Sequence, residues 1–220
     1  MASFKKFKVL VLAGPTWMPI DRVRVITNIF SGELGLLIAR EFYRQGAEVT
    51  LLFGPGQRGL INKKQDRFKI IFFDYFSELL KLAKKHAHKK GVIVNSAAIA
   101  DYQPIKSFSG KIKSGQKDFC LYFKPTPKII DVIKKINPRA VLVKFKLEVG
   151  KSKQQLLDIA YKSLLASQAD FIVANDLSKI QKAGYQSFIM DKNKRVANCY
   201  TKNQTAKKLV KLCLSRGHCG

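Results

Sequence analysis

The chain predicts an α/β fold, a mostly parallel sheet with helices on both faces, and three observations carry that prediction. Short apolar runs alternate with helical patterns, glycine and proline punctuate the joints, and 46% of the 220 residues are hydrophobic, enough to bury a substantial core. Strands alternating with helices imply βαβ units, and parallel strands need cover on both faces. The expectation is a single Rossmann-like domain over residues 1–220, with a mobile lid loop and a small C-terminal hairpin plus helix.

The elements follow in order. Val9–Ala13 is a buried strand stopped by Gly14-Pro15. Glu33–Gln45 is an amphipathic helix, with Leu34, Leu37, Ile38 and Phe42 on one face and Gly46 as its stop. Val49–Phe53 and Phe68–Phe73 are the next two strands, followed by a helix from Ser77 to Lys89 and a strand over Val92–Val94. In the second half Pro127 opens a short helix to Ile136, Ala140–Phe145 is a strand, Gln154–Ser167 a helix and Phe171–Ala174 a strand. Gln186–Met190 and Arg195–Tyr200 form a hairpin around Asp191–Lys194, and a closing helix runs from Gln204 to Leu214.

Two long connections interrupt this alternation. Gly14–Phe30 precedes the first helix, where Ser31 is a suitable N-cap and Gly32 lets a ligand approach free backbone N–H groups. Asp101–Lys117 is polar and rich in lysine, serine and glycine, and reads as a lid over about residues 101–118. Ligands in open α/β sheets bind beyond the carboxyl ends of the strands, where both connections emerge, so the two should meet at one site.

Charge and motifs exclude several function classes. The formal charge of +26, from 41 Lys+Arg against 15 Asp+Glu, favours a polyanionic partner. The densest run, Lys81 to Lys90, lies at a helix end where cations oppose the dipole, and it has no interleaved aromatics to stack on bases, which argues against nucleic acid. Lys5, Lys6 and Lys8 precede an apolar run that stops at Ala13, short of the ~7–15 residues of a secretory segment or the ~20 of a span, so the expected location is the cytoplasm. Cys120, Cys199, Cys213 and Cys219 form no CxxC pair and have no zinc-like spacing with His86, His88 or His218, so they read as reduced thiols and no metal ligands are assigned. No G-x-G-x-x-G follows the first strand, the second strand ends in Leu52-Phe53-Gly54 with no acidic residue placed to hold a ribose, and the P-loop and G-x-S-x-G are absent. What remains is phosphate chemistry by positioning and charge.

The segments at the strand ends are specific. Ala13-Gly14-Pro15-Thr16, Pro19-Ile20-Asp21, Arg24, Thr27-Asn28 and Ser31-Gly32 with Gly35 resemble the opening segment of the phosphopantothenate–cysteine ligases, or phosphopantothenoylcysteine synthetases. Asn95-Ser96-Ala97-Ala98-Ile99-Ala100-Asp101-Tyr102 is similar to that family's strand-end segment, Gly110-Lys111-Ile112-Lys113 to its lid motif, and Lys124-Pro125-Thr126-Pro127-Lys128 to its nucleotide loop. Phe145-Lys146-Leu147-Glu148 and Ala174-Asn175-Asp176 complete the order, more loosely matched after Ser178.

The resemblance implies a ligase of coenzyme A synthesis. It would join 4′-phosphopantothenate to L-cysteine through an acyl-nucleotidylate, using CTP or ATP with Mg²⁺ and releasing CMP or AMP plus pyrophosphate. It implies Asn28 and Lys111 as catalytic residues, with Lys111 carried by the lid to the phosphates and Asn28 holding the acyl intermediate. Nucleotide contacts would come from Gly14, Ser31, Gly32, Ser96, Ala97 and Asp101, and from Lys124, Pro125, Thr126, Pro127 and Phe145 as well as Lys111. Arg24, Asn28, Ala98 and Asp101 would meet the substrate. It also implies a homodimer and, since the chain begins just before its first strand, no flavin domain and no FMN. Trp17, Phe30 and Glu33 depart from the family pattern, as do Ser163 and Ser167, which stand where a helix of bacterial members carries two lysines for the triphosphate. CTP and ATP both stay open, as do a non-catalytic relative and a basic nucleic-acid-binding protein.

Overall fold

β1 (Lys8–Ala13) runs through the middle of an eight-stranded sheet and is buried from Val9 to Ala13. The computed structural model describes residues 7–56, 58–60 and 66–216; Lys5, Lys6 and the tail His218-Cys219-Gly220 lie outside the described residues. After β1 come β2 (Met18–Pro19), β3 (Val25–Ile26), α1 (Glu33–Arg44), β4 (Glu48–Phe53), β5 (Phe68–Phe72), α2 (Phe76–His86) and β6 (Val92–Asn95). The rest is β7 (Tyr102–Pro104), β8 (Phe123–Pro125), α3 (Ile129–Ile136), β9 (Val141–Glu148), α4 (Lys153–Ala166), β10 (Phe171–Asp176), α5 (Leu177–Ala183), β11 (Ser187–Asp191), β12 (Val196–Cys199) and α6 (Lys202–Arg216).

The strand order is β12-β11-β10-β9-β6-β1-β4-β5, parallel from β10 to β5, with β11 and β12 antiparallel at one edge. The chain builds outward from β1 to β4 and β5, then crosses back to β6, so the order reverses between β1 and β6. Such a reversal opens a crevice at the carboxyl ends of the two strands. Period-two alternation sorts the core. Val9, Val11 and Ala13 face the layer of α1 and α6, while Leu10 and Leu12 face α2 and α3. Leu156, Ala160 and Leu164 of α4 cover Ile172, Ala174 and Phe188.

Two glycines let α1 start on top of this crevice. Gly32 has φ +81° and caps the helix, and a Cβ there would lie 2.8 Å from the Gly14 Cα. A Cβ on Gly35 would lie 2.4 Å from both the Ala13 Cβ and the Ser96 Oγ. The cap is therefore Gly32, not Ser31, whose Oγ instead accepts the Glu33 N–H at 3.3 Å.

Other differences from the sequence expectation have local causes. The first long connection contains the two-stranded ribbon β2–β3, and the second opens on β7, which pairs with β8 beyond Lys117; both ribbons are too short for any periodicity to show. α3 starts at Ile129 because Thr126 is held extended between two prolines, its N–H bound to the Asp101 carbonyl. β9 and β10 run on to Glu148 and Asp176, and α5 follows at once, capped by the Asp176 carboxylate on the Lys179 N–H. α2 stops at His86, so Lys89 and Lys90 lie past its end; Lys90 donates to Thr50 Oγ1 at 3.0 Å.

Gly35→Ala is expected to destabilise the protein by about 1–3 kcal/mol, because the added methyl must displace strand backbone or Ser96. Chemical denaturation checks this, and an unchanged midpoint would refute the close approach of α1.

Candidate active site

The crevice is walled by two chain segments that continue the β1–β6 pairing beyond the strands. The Ser96 N–H donates to the Leu12 carbonyl at 2.9 Å and the Ala98 N–H to the Gly14 carbonyl at 3.0 Å. Thr16 Oγ1 accepts from the Ala100 N–H at 3.1 Å, and Thr126 Oγ1 donates to the Ala100 carbonyl at 2.7 Å. Asn28 closes the mouth, its side-chain NH₂ donating to the carbonyls of Ala98 at 3.1 Å and Ile99 at 3.3 Å. With the amide nitrogen committed, Oδ1 is the atom left for a ligand, and it can only accept.

These walls enclose a cavity of about 670 Å³ at the ends of β1, β6, β9 and β10. Of the residues singled out from the sequence, Asn28, Ser31, Gly32, Ser96, Ala97, Ala98, Asp101, Thr126, Pro127 and Phe145 line it. Gly14 stands behind the wall as backbone support. Arg24, Lys111, Lys124 and Pro125 are not among the lining residues. Lys124 and Pro125 are exposed on β8, paired with Gln103 and Tyr102 of β7.

Arg24 and Lys111 belong to a second cluster built on Asp21. That buried carboxylate accepts the N–H groups of Val23 at 2.8 Å, Arg24 at 2.7 Å and Ile112 at 3.0 Å, and the Arg24 guanidinium reaches it at 3.3 Å. Arg24 also donates to the Ile112 carbonyl at 3.4 Å. Ser107 Oγ and the Phe108 N–H add bonds to the carbonyls of Pro19 and Ile20. The tip of the 105–122 segment is thus pinned to the β2–β3 turn, with Lys111 exposed beside the buried Ile112. The Ile112 N–H, followed by the other backbone donors and Arg24, holds the Asp21 carboxyl below the usual carboxylate range against the opposing effect of burial.

Sequence reasoning missed part of the cavity. Lys144, Lys146, Lys128 and Lys202 line it, as do Asn95, Asn175 and Tyr185. Lys202 pairs with Glu33 and Lys146 with Glu148. Lys144 Nζ donates to Ser163 Oγ at 2.8 Å and to the Ser163 carbonyl at 3.1 Å, and burial, with Lys128 and Lys146 nearby, pulls its pKa down. A lysine in the buried run Val141-Leu142-Val143 was the available signal. Asn175 and Asp176 are tied up structurally, to the Gln186 carbonyl and to the Lys151 and Lys179 N–H groups. No group of three metal-ligating side chains exists among the described residues.

Elsewhere, a cavity of about 460 Å³ beside β12 and the end of α6 holds none of the motif residues, and its arginines are paired, Arg195 with Asp191 and Arg216 with Asp170. Cys199 and Cys213 are buried, and burial pushes both thiols up, as expected of inert core cysteines. No helix among the described residues is long and apolar enough to cross a membrane.

Because the folded Asp21 pKa is lowered, its pinning of the segment is complete above the ordinary carboxylate value of about 4 and is lost as pH falls through the folded value. Asp21→Ala is expected to release the tip at neutral pH, seen as faster proteolytic cleavage within residues 105–122. Unchanged cleavage would show that the segment is held by something else.

The comparisons with known proteins bear on the whole of this architecture. Residues 4–216 match the DNA/pantothenate metabolism flavoprotein C-terminal domain family. The chain is 37% identical over 175 residues to the coenzyme A biosynthesis bifunctional protein CoaBC of Thermococcus kodakarensis, covering 80% of this chain and 42% of that protein. It is 32% identical over 172 residues to the CoaBC protein of Methanocaldococcus jannaschii, covering 78% and 41%. The chain therefore spans less than half the length of these curated relatives. The crystal structure of the DNA/pantothenate metabolism flavoprotein from Streptococcus pneumoniae is similar with a TM-score of 0.86 at 31% identity, covering 96% of this chain and 99% of that one. The motif blocks, the crevice they line and the match along nearly the whole chain agree: this chain belongs to the DNA/pantothenate metabolism flavoprotein C-terminal domain family, the phosphopantothenoylcysteine synthetases of coenzyme A biosynthesis.

Proposed function

We propose that the chain condenses 4′-phosphopantothenate with L-cysteine at the expense of CTP or ATP. One observation carries the reading: an asparagine amide is fixed at the mouth of a cationic cavity, with its oxygen as the atom left to meet a ligand. A carboxylate is a poor acyl donor, so its oxygen first attacks the α-phosphorus, forming an acyl–phosphate bond as pyrophosphate leaves. The cysteine amine then attacks the acyl carbon, the amide forms, the nucleoside monophosphate departs with the bonding electrons, and the amine proton passes to solvent. Asn28 Oδ1 can accept an N–H from the incoming amine and so orient it toward the acyl carbon.

The cavity lysines would offset the charge that gathers when a carboxylate meets a triphosphate. Mg²⁺ would arrive with the triphosphate, because the described side chains offer no cluster to hold it alone, and no step is assigned to it. Six of the lining residues have a part in this reading: Ser96, Ala97 and Thr126 would meet the nucleotide, Phe145 would wall it, and Ala98 and Asp101 would meet the acyl substrate.

Lys111 stands outside the cavity wall, so its catalytic role requires the segment to close, either over its own cavity or over that of a second copy. Val23, Ile29, Tyr102, Ile105, Phe119 and Tyr122 are exposed on and around the two ribbons, an apolar surface that a homodimer would bury. The proposed setting is the cytoplasm, without FMN in this domain.

Pyrophosphate release from CTP or ATP, dependent on 4′-phosphopantothenate, is the test. Lys111→Gln is expected to slow that release, whereas Asn28→Ala should retain part of it and lose cysteine incorporation. Release with neither nucleotide would overturn the reading, and equal mild effects on both half-reactions would overturn the division of roles.

A further inference from the structure

Lys144 stands apart from the other cavity lysines. Lys146 and Lys202 have carboxylate partners, and Lys128 is exposed to water, which solvates its charge. Lys144 is half-buried on β9, and none of the ion pairs among the described residues includes it. Two of its three donors go to Ser163, which carries no charge, and one remains. The Asp131 carboxylate offsets part of its charge without forming an ion pair with it, and a partly desolvated ammonium with no ion-pair partner is costly in a folded protein. An anionic ligand in the cavity would remove that cost.

A second, independent observation lies beside it. Asn95 of β6 is the cross-strand partner of Lys144, so both side chains share one face of the sheet, and both line the cavity. The Asn95 Oδ1 is buried with no hydrogen-bond partner. Buried acceptors are nearly always satisfied, and an orphan next to an unpaired cation marks a floor whose missing partner is a ligand carrying both negative oxygens and an N–H or O–H donor.

We propose that Lys144, oriented by Ser163, anchors a substrate phosphoryl group at the floor of the cavity, with Asn95 accepting a hydrogen bond from the same ligand. The inference rests on the ligase reading and deepens it. Two sources of that phosphoryl group fit the chemistry, the polyphosphate of the nucleotide and the phosphate monoester of the acyl substrate. Ser163 acts as a positioning residue, since its hydroxyl accepts from the ammonium and it is not among the residues lining the cavity.

Calorimetric titration of the full chain with a non-hydrolysable nucleoside triphosphate, with inorganic pyrophosphate and with 4′-phosphopantothenate tests it. Lys144→Met is expected to weaken binding by about tenfold or more, consistent with loss of a charge-assisted hydrogen bond. Loss confined to the triphosphate and pyrophosphate assigns the nucleotide, and loss confined to 4′-phosphopantothenate assigns the monoester. Asn95→Asp, which supplies the missing carboxylate beside Lys144, should weaken the same ligand, and Ser163→Ala should do so less. Without ligand, Lys144→Met should melt at the wild-type temperature or above it; a lysine kept for structure alone would give a lower melting temperature and unchanged affinities, and that result overturns the proposal. Wild-type protein that releases pyrophosphate while Lys144→Met binds all three ligands as tightly sinks this inference and leaves the ligase reading intact. Wild-type protein that binds these phosphates through Lys144 but condenses no cysteine does the reverse, and wild-type protein that binds none of them sinks both.

Discussion

The active end of the molecule depends on backbone pairing that continues past the ends of β1 and β6. Where most strand ends would separate into loops, the Gly14–Thr16 and Ser96–Ala100 segments stay bonded to each other through the Ala98 and Ala100 N–H groups, and the Ser96 hydroxyl donates back to the Leu12 carbonyl. That continuation turns the switch point of the sheet into a rigid wall. It also gives Asn28 two carbonyls on which to fix its amide. Without it, Asn28 would be an exposed turn residue with no defined orientation, and Gly35 would have no strand surface against which to seat α1.

Electrostatics then decides what the wall can hold. Lys128 just before α3, Lys144 and Lys146 on β9 and Lys202 on α6 face a common cavity, and Glu33 and Glu148 neutralise only part of that charge. The field is local, produced by side chains on known elements, and it would attract the phosphates of the proposed reaction more directly than the +26 of the whole chain does. The Asp21 cluster plays a separate part. It binds the outer segment by its own carboxylate and so sets where Lys111 rests, away from the cavity wall.

Much of the fold was legible in the sequence because buried parallel strands such as Val9–Ala13 and Val49–Phe53 are continuous apolar runs, and amphipathic helices such as α1 carry a clear stripe. The ribbons were not legible, since strands of two or three residues containing Pro19, Pro104 and Pro125 have no period to detect. Asn28 and the Ser96–Asp101 wall were found through motif order. Arg24 was expected at the substrate and instead holds Ile112, because the Asp21 carboxylate that attracts it carries its own set of backbone donors. Lys144 was overlooked for the opposite reason: its partner Ser163 lies on a different element, and only the register of β6 with β9 brings Asn95 beside it.

In the proposed reaction this cavity converts a carboxylate into a mixed anhydride with a nucleotide. Turnover of 4′-phosphopantothenate whose carboxylate carries heavy oxygen, with mass spectrometry of the released nucleoside monophosphate, tests it directly. One labelled oxygen should pass to the monophosphate and none to pyrophosphate. Product formed with an unlabelled monophosphate would contradict it.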